Sequence, residues 1–443
     1  MTILFDRPSR VFVALGLVLA VAACAERELI LPGEREDIRQ VSLLPDPSET
    51  VIEGSRAISL PGQTTNASAP QGTGTPAFRV AHPALSASPS LLWTANIGAG
   101  DSRKKRITAA PVVGGGRIFT LDANAQVSAV SPSGQVIWSV DAKPARDRED
   151  DATGGGLAYA DGALYVSLGF GEVAKLDAAT GGTIWTQQLD ATGSGSPTVV
   201  GNLVYLVAGD DTGWAIEADS GRIAWQISAT PSVSNILGAP APVVSDDLAI
   251  FAFGSGELIA TFRRGGLRRW SASVAGQRQG RAASRIGDIT GAPMIDGATL
   301  YAGNHSGRLA AFNVESGARL WTAREGALSP VFPAGDSIFA VTDRNFLVRI
   351  DRDTGATIWE AELPGFVRDR PRRRGAIFAH YGPILAGGRL IVASNDGVIR
   401  SFSPVNGALI GTVEVPGGAT SEPVVAGGVL YVVSTRGQLH AFR

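Results

Sequence analysis

The chain has 443 residues, a formal net charge of −2 and charged residues at 18 % of positions. Nothing in that balance points to nucleic acid, and a single cysteine excludes an internal disulfide. The 55 glycines fit a turn-rich β-protein.

In chain order, the first element is a leader. Arg7 and Arg10 precede an apolar stretch of 13 residues, Val11 to Ala23, which ends at Cys24. That length suits a secretory signal and falls short of the roughly 18 residues a membrane span needs. Val21, Ala22 and Ala23 before Cys24 resemble a bacterial lipobox, which implies cleavage before Cys24 and acylation of Cys24. Several acyl chains anchor durably where one does not. The alternative is a plain secreted protein with an incidental cysteine. Ala25, rather than Asp, after the lipidated position favours the outer membrane. Without residues 1–23 the chain keeps 37 basic and 40 acidic side chains, a charge of −3.

Residues 24–89 read as a tether. The part from 46 to 90 is rich in Pro, Ser, Thr, Gly and Ala, with few apolar clusters, which predicts a disordered or loosely attached segment. The stretch RELILPGERED, 27–37, is more apolar and reads as a solvated linker or a docking segment.

From residue 90 to 443 the chain is periodic. Trp93, Trp138, Trp185, Trp225, Trp270, Trp321 and Trp359 follow one another at steps of 45, 47, 40, 45, 51 and 38 residues. Six of them, Trp138 to Trp359, close a unit with a glycine just upstream, as in DAATGGTIW and DRDTGATIW, and an eighth site, SPVNGALI, has Ile410 in the tryptophan's place. Apolar strands, tight turns and a proline-marked strand such as APVV or SPTVV complete each unit. Four strands per 40–50 residues describe a propeller blade. The last unit, from Ala419, has three strands only, while SLLWTANIG at 90–98 is an orphan strand. The expectation is therefore an all-β, eight-bladed β-propeller of four-stranded blades, closed by the amino-terminal strand so that no edge is left free. The periodic tryptophans are expected to fill the wedges between blades, and Trp214, outside the series, to be a packed strand residue.

The lipobox, the tether and eight repeats of the type DG.L.ALD..TG...W resemble the BamB family, lipoprotein subunits of the bacterial outer-membrane β-barrel assembly machinery. The resemblance covers almost all of residues 90–443. It implies a non-enzymatic scaffold without cofactor or metal, held at the periplasmic face of the outer membrane by its lipid. The scaffold is monomeric within a hetero-complex and binds the periplasmic domains of the barrel-inserting subunit. In the family, a loop leading into the fourth blade presents aliphatic residues and an arginine. The matching stretch PSVSNILGAP offers Val233, Ile236 and Leu237, and the arginine is missing. A family acidic pair corresponds to Asp288 and Thr290 in RIGDITGAP, beside Arg285.

Propeller geometry points to the same face. Connections between blades emerge together, and the long ones are 98–107, 141–151, 228–237, 277–289 and 365–377. Their formal charges are +3, −2, 0, +2 and +4, a total of +7 on a chain of −3. Arg372 and Arg373 belong to the most basic of them. Such a face steers an acidic partner surface. The competing reading is a solvated charged rim.

Two other classes of function stay open. Quinone-dependent dehydrogenases share the repeat and blade number, but bind their quinone with a vicinal cysteine pair, a calcium site and a catalytic aspartate. Here the one cysteine is Cys24, the histidines are scattered at 82, 305, 380 and 440, and no catalytic or zinc spacing appears. A periplasmic propeller binding a ligand or peptide in its channel is the other.

Overall fold

The computed structural model describes residues 54–443, apart from 73, 77–81, 192–194, 233–238, 277 and 279–285. Eight antiparallel four-stranded sheets are present among them. Blades 1 to 7 span 112–141, 155–188, 198–228, 243–273, 294–323, 332–362 and 380–414. Blade 8 joins Val424–Ala426, Val429–Ser434 and Gln438–Phe442 to the amino-terminal strand Leu91–Asn96. The two ends exchange backbone hydrogen bonds, Ser90 N to Arg443 O at 2.8 Å and Arg443 N to Ser90 O at 2.9 Å.

The strand composition explains the ring. A second strand such as Ala163–Leu168 is buried along its whole length, and the third strands over most of theirs, because each blade is covered on both faces by its neighbours. Eight apolar clusters result among the described residues, one at each junction between consecutive blades. The cluster of Ile97, Ile118, Val424 and Leu439 closes the ring between blades 8 and 1. Burial of each such aliphatic side chain is worth about 1.5–3 kcal/mol.

The tryptophans do what their period predicts, by a specific contact. Each lies against the turn glycine of the next blade: Trp93 on Gly134, Trp138 on Gly181, Trp185 on Gly221, Trp225 on Gly266, Trp270 on Gly317, Trp321 on Gly355 and Trp359 on Gly407. A β-carbon at Gly221 would lie 2.8 Å from the Trp185 ring, and its φ of +73° favours glycine as well. Each indole N–H also donates to a carbonyl of that turn, as Trp185 does to Ala218 at 3.0 Å and Trp270 to Val314 at 2.8 Å. The registers shift beside the tryptophans, for example between Lys175 and Leu176 opposite Trp185, a bulge that re-aims the ring.

The sequence reading puts Ile410 in the eighth tryptophan's position, but the register corrects this by one: Ile410 matches Ile358, and Gly411, paired with Ser401 as Trp359 is with Arg349, stands in place of the missing tryptophan. That tryptophan's receptor would be the turn between the third and fourth strands of blade 8, but those strands come from opposite ends of the chain and no such turn exists. Trp214 is a buried strand residue, as expected.

The tether expectation is revised for the described residues between 54 and 89, which form a strap across the inner hairpin turns, on the face opposite the long loops. Ala69 pairs with Val113 of blade 1, Pro70 O accepts from Tyr159 N of blade 2, and Pro76 O accepts from Val244 N of blade 4. Asn66 O accepts from Gly427 N of blade 8 at 2.7 Å. Two buried guanidinium groups hold strap carbonyls: Arg349 binds those of Arg56 and Ala57, and Arg389 that of Ser86. Small and proline-rich residues lack a periodic apolar signal, yet their backbone satisfies hairpin N–H groups that would otherwise need water.

Candidate partner-binding face and central chamber

On the long-loop face, equal-looking charges have different surroundings. In the 98–107 loop, Lys105 Nζ lies 3.1 Å from Asp150 and 3.5 Å from Glu149, and Lys104 reaches Asp150 at 4.0 Å. Arg106 pairs with Asp101 at 3.3 Å. The Lys105 hydrogen bond, with the Lys104 and Lys105 charges, holds the Asp150 carboxyl below its ordinary value. The basic first loop and the acidic second loop thus neutralise one another across the seam between blades 1 and 2.

The fourth loop turns its described arginine inward. Arg278 donates to Asp343 at 3.0 and 3.1 Å and to the Arg324 carbonyl at 2.7 Å, and lies 3.4 Å from Glu325. Arg344 bridges Glu325 at 2.8 Å and Glu360 at 3.0 Å. Burial pushes the Glu325 carboxyl up, against the pull of Arg344 and Arg278. This network brings together residues from loops that sequence alone cannot place side by side.

The 365–377 loop is different. It is a short ribbon with a bridge between Phe366 and Ile377, backbone bonds Val367 N to Ala376 O at 3.0 Å and Phe378 N to Gly365 O at 2.8 Å, and a 3₁₀ turn at Pro371–Arg373. Its neck is pinned to the propeller. Asn345 Nδ2 donates to the carbonyls of Pro364 and Phe378, each at 3.2 Å, and His380 Nε2 to that of Pro364 at 2.8 Å. Burial lowers the His380 imidazole below its ordinary value, which keeps it the neutral donor. Arg374 covers the Phe366 ring at 5.0 Å and pairs with Asp369 at 2.7 Å. Arg368, Arg370, Arg372 and Arg373 are exposed and form no side-chain ion pair among the described residues.

The other predicted site residues fare unevenly. Cys24, Val233, Ile236, Leu237 and Arg285 lie outside the described residues. Asp288 is only 4 % exposed, so its carboxylate is not presented on the surface; Ile289 beside it is fully buried between blades 4 and 5. Thr290 donates to Ala327 O at 3.2 Å. Among the named residues, Arg372 and Arg373 are the pair the structure places together on the open face.

The channel is a chamber of about 500 Å³, lined from all eight blades and their connections by residues such as Thr108, Ser196, Ser329, Tyr381, Ser421 and Glu422. Gly72 of the strap also lines it, bounding the side opposite the long loops. No group of three or more His, Cys, Asp or Glu placed to hold a metal occurs among the described residues.

These features define a closed, eight-bladed propeller of the PQQ-like-repeat class whose individuality lies in its inter-blade loops. The family described as "Outer membrane protein assembly factor BamB" matches residues 123–361, and the chain belongs to that family. Proteins of that name are similar to it in Shewanella oneidensis, 24 % identical over 361 residues covering 79 % of this chain and 88 % of the relative, and in Burkholderia pseudomallei, 27 % identical over 359 residues covering 80 % and 87 %. Among solved structures, BamB from Moraxella catarrhalis superposes with a TM-score of 0.65 at 18 % identity, over 80 % of this chain and 99 % of that one. A quinohemoprotein alcohol dehydrogenase from Pseudomonas putida HK5 gives 0.64 at 14 % identity, over 85 % and 80 %. At those identities the likeness to the structures is one of fold alone, so the shared ring does not decide between scaffold and enzyme.

Proposed function

We propose that this chain is a non-enzymatic scaffold subunit of the outer-membrane β-barrel assembly machinery, working at the periplasmic face of the outer membrane. The observation that carries the reading is the family match over 123–361, continued by relatives named as assembly factors over most of the chain. Residues 1–23 act as the lipoprotein signal, Cys24 carries the lipid, and the segment up to residue 53 links the anchor to the strap and propeller.

The partner is the barrel-inserting subunit, engaged through its periplasmic domains by the long-loop face. Val233, Ile236 and Leu237 supply apolar contact, and Arg285, Arg372 and Arg373 align acidic groups around it. Asp288, being buried, acts by shaping the entry to blade 5. The test is a mild-detergent pull-down of the tagged lipoprotein from its own membranes at low and moderate salt. Recovery of a large β-barrel protein with periplasmic domains, lost as salt rises, is the expected outcome; its absence at every salt sinks the reading. Replacing Ile236 and Leu237 with Asp should weaken that complex by a few kcal/mol with folding intact.

A second reading rests on the chamber, whose size and hydroxyl lining suit a small polar ligand or peptide end. A small molecule or peptide recovered in place of a barrel protein would favour it.

A further inference from the structure

Four features set the 365–377 ribbon apart from every other described part of the long-loop face. It is ordered and pinned at its neck by Asn345 and His380. Its tip carries Arg368, Arg370, Arg372 and Arg373, exposed and without ion pairs among the described residues. Its one acid, Asp369, is already held by Arg374. Its neck exposes three large apolar side chains, with Phe366 at 41 %, Val367 at 48 % and Ile377 at 55 %.

We propose that this ribbon is a docking finger for an acidic cleft on a protein partner, the arginine tip entering the cleft and the apolar neck sealing its rim. The inference rests on the scaffold reading above and names the element that makes the contact. Three arguments select this occupant. A free guanidinium pays for its position on a protein only weakly when solvated, but gains paired, partly desolvated hydrogen bonds inside a carboxylate-lined cleft. An apolar ring around the entry then excludes water from those pairs, the arrangement that concentrates binding energy at an interface centre. A bilayer fits the order of the residues poorly, because membrane-seeking elements place apolar groups deepest and basic groups behind them, whereas here the arginines lie outermost.

The strap adds a directional argument. Gly54 N bonds Ile358 O and Arg56 N bonds Val405 O, where Val405 belongs to an outer hairpin turn on the face opposite the finger. Residue 54, where the described chain begins, therefore sits on the face opposite the finger.

The test uses the mature chain and the purified periplasmic domains of the barrel-inserting subunit from the same organism, titrated at low and moderate salt. Two variants are compared with the wild type: one with Arg368, Arg370, Arg372 and Arg373 all replaced by Ser, and one carrying Phe366→Ser and Ile377→Ser. The arginine variant should bind at least about tenfold more weakly and lose most of its salt dependence. The neck variant should bind several-fold more weakly with its salt dependence kept. Unchanged thermal unfolding of both variants shows that the ring is intact, and a variant in which all four arginines become Lys should recover the salt dependence. If the wild type binds and the arginine variant binds equally well, the finger proposal is overturned while the scaffold reading stands. If the wild type does not bind, both fall. Vesicles of phosphatidylethanolamine and phosphatidylglycerol serve as a second probe: finger-dependent binding to them, without finger-dependent binding to the domains, overturns the protein cleft in favour of a membrane surface.

Discussion

The 98–107 loop and the 365–377 finger carry formal charges of +3 and +4 and emerge on the same face, yet they are different objects. The first spends Lys104 and Lys105 on Glu149 and Asp150, and Arg106 on Asp101. The second leaves four arginines exposed. Adjacency across a blade seam accounts for the difference. The finger's neighbours in sequence are neck residues, whereas the acidic 141–151 loop stands beside 98–107. Formal charge counted by loop thus overstates the basic face, and the part that can steer a partner is narrower than the total of +7 suggests.

The comparison can be broken in several ways. The largest contrast is between parallel charge removals: four serines in the finger should cost partner affinity about tenfold or more, while serines at Arg103, Lys104, Lys105 and Arg106 should cost less than about threefold. Equal losses in titration of the two variants would erase the distinction.

Next comes the neck. Asn345→Ala removes donors to two carbonyls, and should lower stability by about 1–2 kcal/mol in denaturant unfolding, with weaker partner binding because the finger is no longer held. An unfolding midpoint and affinity equal to wild type would show that the pin is dispensable.

A smaller effect should appear with pH. His380 is held below its ordinary value of 6.5 mainly by burial, with the Pro364 hydrogen bond and Asp396 opposing and Arg400 assisting, so the unfolded chain binds the proton more readily than the fold. The stability associated with neutral His380 is then complete above about pH 6.5 and is lost as pH falls below it. His440 is shifted in the same direction and contributes alike. Melting temperature should fall between pH 7 and pH 5, and His380→Gln should flatten part of that slope; a wild-type profile flat across the range contradicts the assignment.

The smallest effect sharpens the comparison from the other side. Glu149→Gln with Asp150→Asn frees Lys104 and Lys105, and should raise the association rate with the acidic domains by roughly twofold at low salt, an increase that vanishes at high salt. Stopped-flow rates that do not move would mean the lysines contribute nothing even when unpaired.

What could be read from the sequence followed from what repeats. Trp93 to Trp359 and their glycines announced eight blades, because the same indole-on-glycine contact recurs at seven seams and each recurrence fixes two residue types at once. Even the exception was visible, since SPVNGALI runs on into Gly411 with no tryptophan, although its cause, a blade built from both chain ends, needed the strand order. The strap was hidden because its docking runs through backbone carbonyls such as that of Pro70 and through isolated polar side chains such as Asn66 and Gln71, which make no periodic pattern. Pairing of Lys105 with Asp150 was hidden because 45 positions separate them and only blade stacking joins them. Asp288 misled because its surroundings look like a loop while the neighbouring Ile289 is already entering the core. The finger was half legible: its arginine run stood out, and the apolar flanks GFV and AIF gain meaning only when they face each other as a neck.

The most direct test is the salt dependence of binding between the mature chain and the periplasmic domains of the barrel-inserting subunit, measured for wild type, the four-serine finger variant and the four-serine 98–107 variant. A finger acting as the electrostatic contact predicts a steep slope for the wild type and the 98–107 variant and a shallow one for the finger variant. Three parallel slopes would contradict it.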